Sequence, residues 1–186
     1  MSRITPVFRP ADYPGTPDER TRADLSALFE AMYPGNPDPV IDRGHTGTAV
    51  AAQSPGFALK LSQLARAVVL DMPWTQRRDL MELAIQTVNL HYGCDFSFEA
   101  RLPGAAAEGG VGLDRIAALP YWRTSSLFDE EQRLVIEFTH ATLSGTVPDE
   151  LLDRAKARFG ERGVVEMTGT VGTFALWAMV INVARP

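Results

Sequence analysis

Four side chains between positions 82 and 101 have types and spacings that suit chemistry: Glu82, Cys94, Ser97 and Arg101. They surround one expected helix junction in Met81-Glu-Leu-Ala-Ile-Gln-Thr-Val-Asn-Leu-His-Tyr-Gly-Cys-Asp-Phe-Ser-Phe-Glu-Ala-Arg101. Glu82 lies at the edge of an apolar helix face, near Leu80 and Leu83, where partial desolvation suits a carboxyl to general acid or base work. The competing reading is an ordinary polar edge residue. Cys94 follows Gly93 at a helix start, where the backbone's partial positive charge stabilises a thiolate. It reads equally well as a small buried hydrophobe. Arg101 stays protonated at any working pH, so it is no base; its forked donors suit a substrate carboxylate. Seven residues separate it from Cys94, which places both on one helix face. Ser97 occupies the place of the second cysteine in a Cys-x-x-Cys pair. A serine closes no disulfide, so redox cycling through an intrachain dithiol is excluded.

His91 and Tyr92 precede the helix break, the first as a candidate proton relay and the second as a candidate substrate contact. His45, in a loop after a glycine, is another candidate relay, and His140 lies within a later helix. No two of these histidines form a metal-ligand spacing with each other or with an acid. Gly109-Gly110-Val-Gly112 lacks the strand-to-helix setting of a phosphate loop. No metal, nucleotide or other cofactor is expected.

The elements that must hold these residues are helices. Seven of the 13 prolines fall within the first 39 residues, which marks 1–44 as an extended arm with one helix in it. That helix is expected from about Pro17 to Met32, with Leu25, Leu28, Phe29 and Met32 as its stripe. The arm's Phe8, Tyr13, Phe29 and Tyr33 require a docking surface, on its own domain or on a neighbouring subunit. Ser54-Pro55 starts the next helix, with Phe57, Leu61, Leu64 and Val68 as its apolar face. Thr75 is expected to cap a helix that carries Leu80, Leu83, Ala84 and Val88 and ends near Gly93. A third helix runs from Cys94 to Gly109-Gly110, and its small residues Gly104–Ala107 suggest close approach of another helix. Asp129 and Gln132 form a capping box for a helix through about Leu143. Pro148 opens another that Gly160 closes, and the last spans roughly Glu161 to Ala184. No useful period-two strand pattern is found.

A length of 186 residues fits one domain, large enough to bury about 70% of the surface its unfolded chain exposes. A single cysteine and the lack of a signal-like N-terminus lead to an expectation of a reducing cytoplasm. Apolar runs fall short of the ~18 residues that span a bilayer, so no membrane partner is expected. With 23 acidic against 18 basic residues the net charge is -5, which argues against a nucleic-acid footprint. Arg77-Arg78 reads as ordinary solvent-facing charge.

Taken in order, these pieces resemble the carboxymuconolactone decarboxylase and alkylhydroperoxidase D-like superfamily. Met81-Glu82-Leu83-Ala84-Ile85 is similar to its Arg-Glu-Leu-Ala helix, with Met where Arg is usual. Cys94-Asp-Phe-Ser97-Phe98 occupies its Cys-x-x-Cys or Cys-x-Tyr-Glu-Trp stretch, and Arg101-Leu-Pro103 its His-x-Pro place. Asp129-Glu130-Glu131-Gln-Arg133 resembles the acidic opening of a later helix. Phe159-Gly-Glu-Arg-Gly-Val-Val-Glu166-Met-Thr168 resembles the C-terminal signature. The resemblance covers about residues 45–185. It implies an all-α fold, with 45–186 as a single helical domain, assembled as trimers or hexamers (a dimer is the other option), with sites near subunit contacts. It also implies either cofactor-free decarboxylation of lactone acids or thiol-based peroxide chemistry. Ser97 and Arg101 depart from both branches. The resulting expectation is a cofactor-independent lyase, a decarboxylase or isomerase, acting on a small carboxylated metabolite. Glu82 would move the proton, Arg101 would hold the carboxylate, and Ser97 and Tyr92 would contact substrate. The alternatives are a thiol peroxidase or oxidoreductase using Cys94 alone, and a non-catalytic oligomeric homologue.

Overall fold

The computed structural model describes residues 2–185, and all regular structure among them is helical. The α-helices are α1 (Glu19–Met32), α2 (Thr46–Ala51), α3 (Pro55–Asp71), α4 (Arg78–Tyr92), α5 (Asp95–Ala107), α6 (Leu113–Ala118), α7 (Glu130–Leu143) and α8 (Asp149–Ala184). They fall into two compact units, Met1–Leu64 with Met179–Pro186, and Ala65–Ala178.

In the first unit the proline-rich arm bonds to its own chain. Val7 N–H donates to the Ala49 carbonyl at 2.8 Å, Ile41 N–H to Phe8 at 2.9 Å, and Arg3 N–H to Ala184 at 2.7 Å. Val7 and Ile41 are buried with Leu25, Leu28 and Phe29 of α1. An extended segment needs such partners, because proline removes donors and the remaining backbone groups must still be satisfied. Helix α1 starts at Glu19, after Asp18 accepts from Thr21 N–H at 2.7 Å. On α3 the buried face is Ala58, Leu61 and Val68, while Phe57 and Leu64 are 43% and 47% exposed. Leu61 and Val68 of the expected stripe thus face the core, and Ala58 joins them there in place of Phe57 and Leu64.

In the second unit α4 packs chiefly on α7 and then on α5. Every residue of α4 from Leu80 to Asn89 is buried, so the helix is enclosed on all sides. Leu83, Val111, Ile116, Trp122, Phe128 and Ile136 form the adjoining apolar core. Gly93 ends α4 at φ 57°, a left-handed conformation that glycine adopts without strain. Thr75 is not the cap the sequence suggested. It is buried in a 3-10 turn, and its hydroxyl donates to the Val68 carbonyl at 2.7 Å and that of Met72 at 2.8 Å. The small-residue run on α5 buries only Ala105; Gly104, Ala106 and Ala107 are exposed. The Asp129–Gln132 capping box is present, with Asp129 accepting from Gln132 N–H at 2.8 Å.

Helix α8 breaks at Gly160 (φ 71°, ψ 170°), a region that essentially only glycine occupies. The break falls where the sequence placed a boundary between two helices. By length and composition α8 could cross a membrane, contrary to the expectation from run length; its most apolar window is 56% buried within the molecule, as in a core helix.

Candidate active site

Helix α4 turns a buried polar stripe toward α5. Glu82, Gln86 and Asn89 recur at steps of four and three, so they share one face, and all three are 5% exposed or less. Each is tied across the junction. The Arg101 guanidinium grips Glu82 with two nitrogens: Nε donates to Oε2 at 3.2 Å, and Nη2 donates to Oε1. Gln86 Nε2 donates to the Phe98 carbonyl at 3.2 Å and accepts at Oε1 from Asn89 Nδ2 at 3.0 Å. The Asn89 carbonyl takes the N–H of Cys94 at 2.8 Å, which fixes the start of α5.

The Glu82–Arg101 pair is shielded unequally. The Glu82 side chain is 7% exposed and that of Arg101 26%. One face of the guanidinium lies over the Phe174 ring, 5.1 Å from its centroid, a cation–π contact strengthened by the low solvent access. Gly109 lies against the other partner: a Cβ there would stand 2.8 Å from Glu82 Cγ and 2.9 Å from the Ala105 carbonyl oxygen. The segment after α5 can pass this close to the carboxylate only without a side chain. The arrangement is a buried carboxylate clamped by a bidentate cation, with the Nη1 corner of Arg101 directed away from Glu82.

The other expected residues sort around this pair. Cys94 is 1% exposed. Burial pushes its thiol above the ordinary value, Ser97 N–H pulls partly the other way, and the Asp95 charge adds to the rise. A buried, protonated sulfur is the inert form, so the geometry sides with the small-hydrophobe reading. Ser97 is half-buried, one turn into α5. His91 is exposed at the end of α4, its ring edge-on to that of the half-buried Tyr92 with centroids 5.0 Å apart. His45 belongs to the first unit, where its Nδ1 bonds Asp42 Oδ2 at 2.7 Å. Among the described residues no three of His, Cys, Asp and Glu converge to hold a metal ion.

Gln86, Asn89, Gly109 and Phe174 are the residues that sequence reasoning missed. The first two carried a legible signal: polar residues at 82, 86 and 89 repeat at helical spacing inside an otherwise apolar helix. Gly109 and Phe174 reach the pair only through tertiary folding. Arg77 is exposed, as a solvent-facing charge should be, while Arg78 is half-buried. Arg78 Nη1 donates to the Val69 carbonyl at 2.7 Å, and Arg77 bridges Asp79 at 3.2 Å and Glu131 at 2.9 Å.

No family model matches the chain, and no solved structure matches it. It is 32% identical over 81 residues to an uncharacterised protein, YnjA, of Escherichia coli (strain K12). That similarity covers 42% of this chain and 44% of YnjA, so the chain matches less than half the length of this curated relative.

Proposed function

We propose that the chain is a member of the carboxymuconolactone decarboxylase-like superfamily, acting without a cofactor as a decarboxylase or isomerase on a small carboxylated, unsaturated metabolite. The observation that carries this reading is the buried Glu82 held bidentately by a partly exposed Arg101. An incoming carboxylate competes for the guanidinium, first at the Nη1 corner, and draws it away from Glu82. The released carboxylate is then a desolvated base facing the bound molecule. It takes a proton from the carbon next to the substrate carbonyl, and the C–H electron pair passes into the conjugated system. Protonated Glu82 returns that proton to another carbon, which isomerises the substrate. If a carboxyl group departs as carbon dioxide instead, no C–H bond is broken first: the electron pair of the cleaved C–C bond passes into the conjugated system and is quenched by a proton that Glu82 takes up from solvent and delivers. Arg101, now paired with the substrate carboxylate, stabilises the negative charge that develops.

The resemblance also suggests a homo-oligomer, a trimer or hexamer or else a dimer.

The test works without an identified substrate. A panel of β,γ-unsaturated and lactone carboxylates in D2O, followed by proton NMR, should show deuterium entering the carbon next to the carboxylate or carbonyl for at least one acid. Glu82→Gln should abolish the exchange and Arg101→Lys should raise the concentration needed. Exchange that persists in Glu82→Gln, or no exchange with any acid, would overturn the reading in favour of a non-catalytic assembly.

A further inference from the structure

Helices α4 and α5 meet at Gly93, and hydrogen-bonded rungs join them in opposite order along the two chains. Glu82 pairs with Arg101, Gln86 with the Phe98 carbonyl, and the Asn89 carbonyl with Cys94 N–H. The rungs are spaced by four and three residues on α4 and by three and four on α5, about one turn each, so they mesh at one register. The outer two are an ion pair and a backbone bond. The middle one depends on a neutral side chain, Gln86, fully buried in a helix that also buries Leu83, Ile85 and Val88.

An amide in that place costs desolvation that a leucine would not. Both of its ends are bonded all the same. The Phe98 carbonyl only accepts, so it takes the Nε2 end, at 3.2 Å. Asn89 Nδ2 donates to Oε1 at 3.0 Å and holds the amide in that orientation.

The turn that carries Arg101 is short of other restraints. Pro103 lies inside α5 and supplies no N–H to the Glu99 carbonyl one turn back. Beyond it, Ala105 alone of the Gly104–Ala107 run is buried. Phe98 and Leu102 pack against the core around Leu83, but apolar contact is non-directional and tolerates a slide along the helix. The clamp does not. Arg101 Nε stands 3.2 Å from Glu82 Oε2, and a slide of about half an ångström takes that bond beyond hydrogen-bonding distance.

We infer that Gln86 is a positioning residue: locked by Asn89 and acting through the Phe98 carbonyl, it holds α5 at the register in which the Arg101 fork meets both oxygens of Glu82. Its consequence for turnover rests on the reaction proposed for Glu82 and Arg101, where a misplacement of about 1 Å costs on the order of a hundredfold in rate.

The test uses the full-length double variant Gln86→Met/Asn89→Leu. Both replacements conserve volume, and removing the two amides together leaves neither unpaired, so the fold is kept; a cooperative thermal transition checks that. The Arg101 Nε–H resonance, assigned with Arg101→Lys, should move upfield, and its exchange with solvent should quicken about tenfold as the charge-assisted bond is lost. For an acid that takes up deuterium in the parent, the saturating rate should fall about tenfold while half-saturation moves by less than about threefold, because the flexible fork still finds the acid. A purely structural role would weaken signals without moving them. A resonance at its parent position with unchanged exchange in the folded double variant would overturn the inference, and so would a saturating rate equal to the parent's. With a parent inert toward every acid the proposed reaction falls, and the resonance alone still decides for or against Gln86.

Discussion

Replacing Arg101 by alanine strips the charge from a clamp whose other half cannot leave. The Glu82 side chain is 7% exposed and lies against Gly109, so its carboxylate stays in the protein interior with neither oxygen bonded. Breaking a buried ion pair by removing one partner costs about 3–5 kcal/mol. Because the Arg101 side chain is 26% exposed, the lower end applies, about 3 kcal/mol. For a chain of this length that lowers the midpoint of thermal unfolding by roughly 6–12 °C. Glu82→Gln should cost less, about 1–2 kcal/mol, because the freed guanidinium can turn toward solvent and Gln keeps one acceptor. Denaturant unfolding of Arg101→Ala, Glu82→Ala and the double variant gives the coupling directly. A coupling of about 1.5 kcal/mol or more is expected, with the double variant more stable than the sum of single losses implies. If Arg101→Ala cost under about 1 kcal/mol and the two losses added within about 0.5 kcal/mol, the clamp would carry no such weight.

Gly109→Ala should lose about 1–3 kcal/mol, because its Cβ meets Glu82 Cγ at 2.8 Å; a denaturant midpoint within error of the parent would refute that contact. Cys94 should react with iodoacetamide only slowly at neutral pH, with a rate midpoint above the ~8.5 of a free thiol, since burial raises the native thiol. The same shift makes Cys94 contribute stability that is present below the unfolded thiol's value and lost as pH rises through the native one. Half-buried His140 is stacked on Trp122, with ring centroids 6.1 Å apart. Burial, with the charges of Arg123 and His91, lowers its imidazole below the ordinary value. Its contribution to stability is therefore complete above ~6.5 and declines as pH falls toward the native value. Urea unfolding at pH 7.5 and 5 should show a smaller pH difference in His140→Gln than in the parent, and an equal difference would rule the histidine out.

Helical punctuation was legible because it is local chemistry. Gly93, Gly160 and the Asp129–Gln132 box act through residues within one turn, and each ends or starts a helix as the sequence indicated. Faces were less legible. On α3 Leu61 and Val68 were placed correctly, but whether Ala58 or Phe57 and Leu64 join them depends on what the fold brings alongside, which periodicity does not contain. Thr75 looked like a cap because of its type, yet its hydroxyl closes the previous helix instead. For the site, Glu82 and Arg101 were singled out separately from residue type. Their bond to each other crosses two helices, and the α5 spacing alone tied Arg101 to Cys94. The buried state of Cys94, between exposed neighbours at 93 and 95, is a property of tertiary packing and not of the junction's own residues.

The most direct test of the central claim is whether a carboxylate displaces Glu82 from Arg101. The Nε–H resonance of Arg101, assigned with Arg101→Lys, reports the bond to Glu82 Oε2, since a charge-assisted bond shifts that proton downfield. Titration with a small unsaturated dicarboxylate such as maleate should move this resonance saturably, and the uncharged diamide should leave it in place. A resonance indifferent to every acid in the panel would mean that the pair is a structural clamp, and the proposed chemistry at Glu82 would fall with it.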